Sequence, residues 1–204
     1  MVLSLSDTKC SMRTDIGKCI EVELAGTAYY NMIRSAVEVK SRETAGNIFG
    51  NVCGKTIRVI NACPIQTAER KPSSVTYNDD LAIARLKALE HVIDSNGSRT
   101  RFIGGYHSHP VKGFVKKLTV EDRRFANGEL EESLKAYWLE ILLNIEGERY
   151  KDRTRISELV YQDAKALDTH FAYKPYRGYH LSIRAFLVDA RGGTKQLKVT
   201  KRKK

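Results

Sequence analysis

Two imidazoles, His107 and His109, stand two residues apart in the run Gly104-Gly105-Tyr106-His107-Ser108-His109-Pro110. The apolar pair Phe102-Ile103 ahead of them reads as a strand, so both rings point to one face and Ser108 to the other. Adjacent glycines inside a strand mark a place where something approaches the backbone closely, and Pro110 ends the ladder because it has no N–H to donate. Two imidazoles on a rigid backbone are two ready metal ligands. A catalytic zinc takes three protein ligands and keeps a fourth position for water, so a carboxylate must complete the set. Asp122 follows in Thr119-Val120-Glu121-Asp122, with Glu121 beside it as the alternative acid. An acid that is not a ligand must take the proton of the water. The upstream candidate is Glu43, which opens Glu43-Thr44-Ala45-Gly46-Asn47-Ile48-Phe49-Gly50. Each feature has a plainer reading: a pair of surface histidines at a strand end, and a capping box in which Asp122 serves only the free N–H groups of a helix.

The elements that must position these residues follow from periodicity. Lys18 to Leu24 alternates as a strand, and Ala28 to Val39 carries apolar residues at helical spacing. Strands are expected over Thr44 to Val52 and Thr56 to Ala62, joined at Gly54, with Glu43 at the entrance of the first. Pro64 to Asp80 is a long, polar, proline-interrupted loop, and a helix starts at Asp79-Asp80 and closes at Asn96-Gly97. Thr119 opens a helix through about Leu134; a mostly apolar strand, Tyr137 to Ile145, comes next. Between it and the alternating strand Tyr179 to Val188 lies an insert, 148–178, with four tyrosines among many charges; Ile156 to Phe171 suits a short helix. A last hairpin turns at Gly192-Gly193 and returns through Lys195 to Thr200. His91, His170 and His180 show no paired ligand pattern and read as structural. The pattern is that of one α/β domain over 18–200, a mixed, curved sheet flanked by helices, with an irregular segment 1–17 ahead of it and a basic tail end at 201–204.

At 42% apolar and 29% charged residues, the 204-residue chain has the composition of one globular domain. Its first residues lack the basic start and apolar core of a signal peptide, and no apolar run approaches the ~20 residues of a membrane span, so a cytoplasmic protein without a membrane partner is expected. The four cysteines form no C-x-x-C pair and are expected to be free thiols. The net charge of +11 is uneven: residues 1–100 carry +2 and residues 101–204 carry +9. The last fourteen residues hold seven bases and no acid, a tail suited to nucleic acid or an acidic partner, or simply solvated and frayed.

The order Glu43, a Gly-x-x-x-Gly strand, His-Ser-His-Pro, then Thr-x-x-Asp resembles the JAMM (MPN+) zinc metallopeptidase family, whose members include the proteasome-lid deubiquitinase and archaeal and bacterial relatives. The resemblance runs from roughly Lys18 to Val199 and implies a cytidine-deaminase-like layout. It implies one catalytic Zn2+ held by His107, His109 and Asp122, with Glu43 as general base. Thr119 stands where the family has a serine that steadies the oxyanion, and the spacer from His109 to Thr119 is longer than the family pattern. The implied activity is that of an isopeptidase acting on ubiquitin or ubiquitin-like protein conjugates, and family insertions that contact substrate fall where residues 148–178 lie. Three alternatives stand beside it: a related peptidase trimming a sulfur-carrier protein or small peptides, a metal-free MPN-type scaffold, and a nucleic-acid binder using the tail. A scaffold has no need of all four polar residues.

Overall fold

The computed structural model describes residues 16–66, 69–71, 74–76, 84–89, 91–92, 100–110, 115–133, 136–149, 159–162, 165–174 and 177–202. After a short turn of 3-10 helix come β1 (Glu21–Leu24), α1 (Gly26–Glu38), β2 (Ala45–Cys53) and β3 (Thr56–Pro64). Two three-residue strands, β4 (Glu69–Lys71) and β5 (Ser74–Thr76), are followed by α2, helical at residues 84–89 and 91–92. Then come β6 (Arg101–His109), α3 (Val120–Ser133), β7 (Tyr137–Arg149), β8 (Leu159–Gln162), β9 (Ala166–Lys174), β10 (Arg177–Asp189) and β11 (Thr194–Lys201).

Nine strands form one mixed sheet in the order β11-β1-β3-β2-β6-β7-β10-β9-β8. The sheet does more than curve. β11 also pairs with β10, so seven strands close on themselves and β9 and β8 branch off. The length of β10 makes this possible. One of its edges pairs with β7 throughout, while the other is shared, residues 177–184 with β9 and residues 185–188 with β11. Closure pairs both edges of β11, while β8 stands at the outer end of the branch, paired among the described residues only with β9.

The alternation of side chains divides the core in two. Along β7, Leu139, Ile141, Leu143 and Ile145 join a cluster with Met32 and Ala36 of α1, Val22 of β1, Ile57 of β3, and Leu181 and Ile183 of β10. From the opposite face, Trp138 and Leu142 join Phe49, Phe102, Leu118, Phe186 and Ala126 of α3. All eight residues from Trp138 to Ile145 are therefore buried, including the polar Glu140 and Asn144. At Gly104 β7 leaves no room for a side chain: a Cβ there would run into the carbonyl oxygen of Leu139.

Three expectations need correction. The frayed reading of the final basic segment fails up to Lys201, where the returning strand expected over Lys195 to Thr200 forms as β11: Leu197 and Val199 are buried, and the Lys201 ammonium lies 4.0 Å over the Tyr29 ring. The polar loop 64–80 contains the β4–β5 ladder. The described part of the insert is strand rather than helix, because β9 and β8 extend the main sheet beyond β10; residues 150–158 and the expected helix start at Asp79-Asp80 lie outside the described residues. Cys19, Cys53 and Cys63 are free thiols as expected, and Cys10 lies outside the described residues. No helix among the described residues is long and apolar enough to cross a membrane.

Candidate metal centre

The site is assembled at the ends of two neighbouring strands and the start of one helix. β2 and β6 are antiparallel with Ala45 opposite His107. Beyond the ladder, the Ser108 N–H donates to the Thr44 carbonyl at 2.8 Å, and the Thr44 N–H donates to Ser108 Oγ at 3.0 Å. The pairing thereby extends one residue beyond the ladder, and Glu43, the next residue, lies close enough to His109, His107 and Asp122 to sense their charges. Ser108 and Thr44 are completely buried on the other face.

Asp122 arrives from α3. The Thr119 N–H donates to Asp122 Oδ2 at 2.7 Å, and the Asp122 N–H donates to Thr119 Oγ1 at 3.1 Å. This is the reciprocal capping box. It engages only one carboxylate oxygen. The other, Oδ1, lies 3.1 Å from His107 Nε2 and 3.4 Å from His109 Nε2. The capping and ligand readings of Asp122 are thus compatible, one oxygen for each. Glu121 is exposed on the helix and does not join the group.

The two Nε2 atoms are themselves 2.9 Å apart, so three donors form a small triangle. Ligands at zinc bond lengths on a tetrahedron lie roughly 3.3 Å from one another. Sides of 2.9, 3.1 and 3.4 Å match that spacing with little adjustment, and two imidazoles with one carboxylate are a zinc donor set.

Electrostatics follow from the crowding. Burial opposes a charge on His107, but its hydrogen bonds to Asp122 and Glu140, and their charges, outweigh burial and push its pKa up to about 10. Burial likewise disfavours the Asp122 carboxylate, yet its hydrogen bonds to His107 and His109, the His107 charge and the Thr119 N–H hold it well below the usual range. Burial pushes the half-buried Glu43 up; His109 and His107 pull it down, and Asp122 adds to the rise. These two imidazoles and the two acids therefore sense one another across a common space.

Sequence reasoning missed the residues behind the triangle. His107 Nδ1 is 2.7 Å from Glu140 Oε1, and the other oxygen of Glu140 accepts from Trp138 Nε1–H at 2.6 Å. The available signal was a single acid in the apolar run Tyr137-Trp138-Leu139-Glu140-Ile141-Leu142. Asn144 was missed as well. Opposite His109 in the β6–β7 ladder, its amide accepts the Val115 N–H at 2.8 Å and donates to the Val115 carbonyl at 3.1 Å, tying down the spacer before Thr119. Of the histidines read as structural, His170 and His180 stack at 3.8 Å on β9 and β10, and His91 is an exposed residue of α2.

A family model described as JAB1/Mov34/MPN/PAD-1 ubiquitin protease matches residues 18–126, more than half of the chain and the whole stretch from Glu43 to Asp122. No curated protein sequence gives a significant match. Among solved structures, the solution structure of protein DSY2949 from Desulfitobacterium hafniense is similar over 90% of this chain and 94% of that one, at a TM-score of 0.55 and 14% identity, a likeness of fold.

Proposed function

The chain belongs to the JAB1/Mov34/MPN/PAD-1 family, and from that premise we propose that it is a zinc-dependent isopeptidase acting on ubiquitin or ubiquitin-like protein conjugates. The observation that carries this reading is the donor triangle of His107, His109 and Asp122 with Glu43 beside it. A partner-binding scaffold gains nothing from three buried, converging donors, whose burial costs stability unless something pairs them. Held by these three residues, zinc supplies Lewis-acid activation of water and of a scissile carbonyl.

The protein groups do the rest. Glu43 accepts the proton of the attacking water and returns it to the leaving amine, as general base and then acid. Burial raises its proton affinity toward what the delivery step needs, while a bound cation would offset part of that rise. Thr119 Oγ1 accepts the Asp122 N–H and keeps its own O–H, which is free to donate to the developing oxyanion. Ser108 holds the Thr44 backbone, and with it the chain that carries Glu43.

An acidic partner or nucleic acid at the basic C-terminal segment stays a second proposal; residues 194–201 of that segment form β11, so it would meet lysines carried on a strand. The cytoplasm remains the compartment we propose. The testing experiment is hydrolysis of isopeptide-linked conjugates against short linear peptides, with and without a chelator, alongside zinc stoichiometry. About one zinc per chain and chelator-sensitive isopeptide cleavage are expected. A zinc-free chain that cleaves nothing would leave a scaffold, and preference for linear peptides would move the substrate class.

A further inference from the structure

Behind the donor triangle lies a buried carboxylate whose position has no structural necessity of its own. Glu140 occupies the middle of β7, is 1% exposed, and has leucine and isoleucine on either side. An acid in such surroundings destabilises the fold unless its oxygens are hydrogen-bonded. Both are. One faces His107 Nδ1 at 2.7 Å, and the other takes the indole N–H of Trp138 at 2.6 Å.

The strand geometry is arranged to let this happen. Glu140 pairs with Gly105 across the β6–β7 ladder, and His107 is the next residue of β6 on the same face. To reach His107, the Glu140 side chain passes over Gly105. A Cβ at Gly105 would crowd Trp138 Cζ2 at 3.1 Å and would stand in ordinary contact with Glu140 Oε2 at 3.7 Å, so the glycine makes room for the indole beside the carboxylate. Trp138 lies on that same face two residues before Glu140. Its ring is wedged edge-on against Phe102 with centroids 5.4 Å apart.

We propose that Glu140 is the positioning residue of the metal centre and that Trp138 is its clamp. Together they keep the proton of neutral His107 on Nδ1 and present the Nε2 lone pair to the metal. The inference rests on the zinc reading above. With a carboxylate against Nδ1, the tautomer with hydrogen on Nε2 is disfavoured, because it would face two lone-pair-bearing atoms across Nδ1 and block the ligand position. Trp138 prevents the carboxylate from turning away, since its N–H needs the second oxygen. As the single tryptophan of the chain, it also makes the site self-reporting.

Glu140→Gln separates this role from mere packing, because the amide has the same shape but one acceptor oxygen. It can satisfy His107 Nδ1–H or Trp138 Nε1–H, but not both. We expect Glu140→Gln to fold with the same far-ultraviolet circular dichroism, and to bind zinc about 10- to 100-fold more weakly in competition with a chromogenic chelator. Zinc added to the unaltered protein should change the tryptophan emission, and that change should be lost in Glu140→Gln. Trp138→Phe keeps the carboxylate and removes only its clamp, so it should show a smaller loss of affinity and covers the case in which Glu140→Gln does not fold. Affinities of folded Glu140→Gln or Trp138→Phe equal to that of the unaltered protein would overturn the positioning role while leaving the zinc site intact. Failure of the unaltered protein to bind zinc would instead overturn the metal reading, and this inference with it.

Discussion

Ser108 and Thr44 exchange two hydrogen bonds, at 2.8 and 3.0 Å, one residue beyond the end of the β2–β6 ladder. One is made by backbone alone; the other needs the Ser108 hydroxyl. The serine between the two histidines is thus turned away from the face of the imidazoles and holds the segment that carries Glu43. Ser108→Ala removes the acceptor of the buried Thr44 N–H, and an unsatisfied buried donor costs about 1–3 kcal/mol. The variant should lose that much stability in a denaturant titration, retain zinc, and turn over more slowly because Glu43 is less firmly held. Unchanged turnover at the reduced stability would mean that the remaining backbone bond is enough to position Glu43.

The spacer between His109 and Thr119 has its own anchor in Asn144, which is fully buried and satisfies both polar groups of Val115. Asn144→Ala should destabilise the fold by about 1–3 kcal/mol, and proteolytic cleavage between His109 and Thr119 should accelerate. Equal cleavage rates in the two proteins would show that the spacer is held by other contacts.

Thr119 carries two roles that a single substitution can resolve. Thr119→Ala loses the cap to the Asp122 N–H, at about 0.5–2 kcal/mol. It leaves the Thr119 N–H on Asp122 Oδ2, so zinc content should not change. Turnover should fall roughly 10²- to 10³-fold, the effect of losing an oxyanion donor, and Thr119→Ser should restore it. A stability loss with an unaltered rate would leave Thr119 as a helix cap.

Much of the site was legible because its signals are local. His107 and His109 share a strand face by alternation, and Thr119 to Asp122 is a complete capping box within four residues. What was not legible depends on pairing across the sheet. Glu140 is separated from His107 by 33 residues, and nothing within its own strand says that an acid there is satisfied. The β10–β11 hairpin was legible from Gly192-Gly193, but nothing in the last segment says that the other edge of β11 pairs with β1, and that pairing closes the sheet. The insert was misjudged for a related reason: Ala166 to Lys174 has no decisive period, and the free edge of the first half of β10 decides in favour of strand.

In metal-free protein, the raised pKa of His107 and the lowered pKa of Asp122 share the His107–Asp122 contact, to which Glu140 adds on the His107 side and His109 and the Thr119 N–H on the Asp122 side. The His107 contribution is complete below its ordinary value of 6.5 and is lost as pH rises toward about 10. The Asp122 contribution is present above its ordinary value of 3.8 and is lost on acidification. The metal-free protein should therefore be more stable near pH 5 to 6 than near pH 9. Zinc needs His107 without its extra proton, so its affinity should rise with pH between 6 and 8 and binding should release protons. Thermal unfolding at each pH, with and without zinc, reads both trends. A zinc-induced rise in Tm that is the same at pH 6 and pH 8 would contradict the protonated state of His107.

The central claim is that Glu43 moves the proton at a zinc site formed by His107, His109 and Asp122, and Glu43→Gln tests it most directly. Glutamine keeps the size and hydrogen-bonding capacity of the side chain but accepts no proton at neutral pH, and a general base contributes about 10²- to 10⁴-fold. The measurement is zinc content and isopeptide cleavage on the same purified variant. The account predicts about one zinc per chain, retained substrate binding and cleavage reduced by at least about 10²-fold. Cleavage at the normal rate, or loss of the zinc, would contradict it: the first because the base lies elsewhere, the second because Glu43 is a ligand.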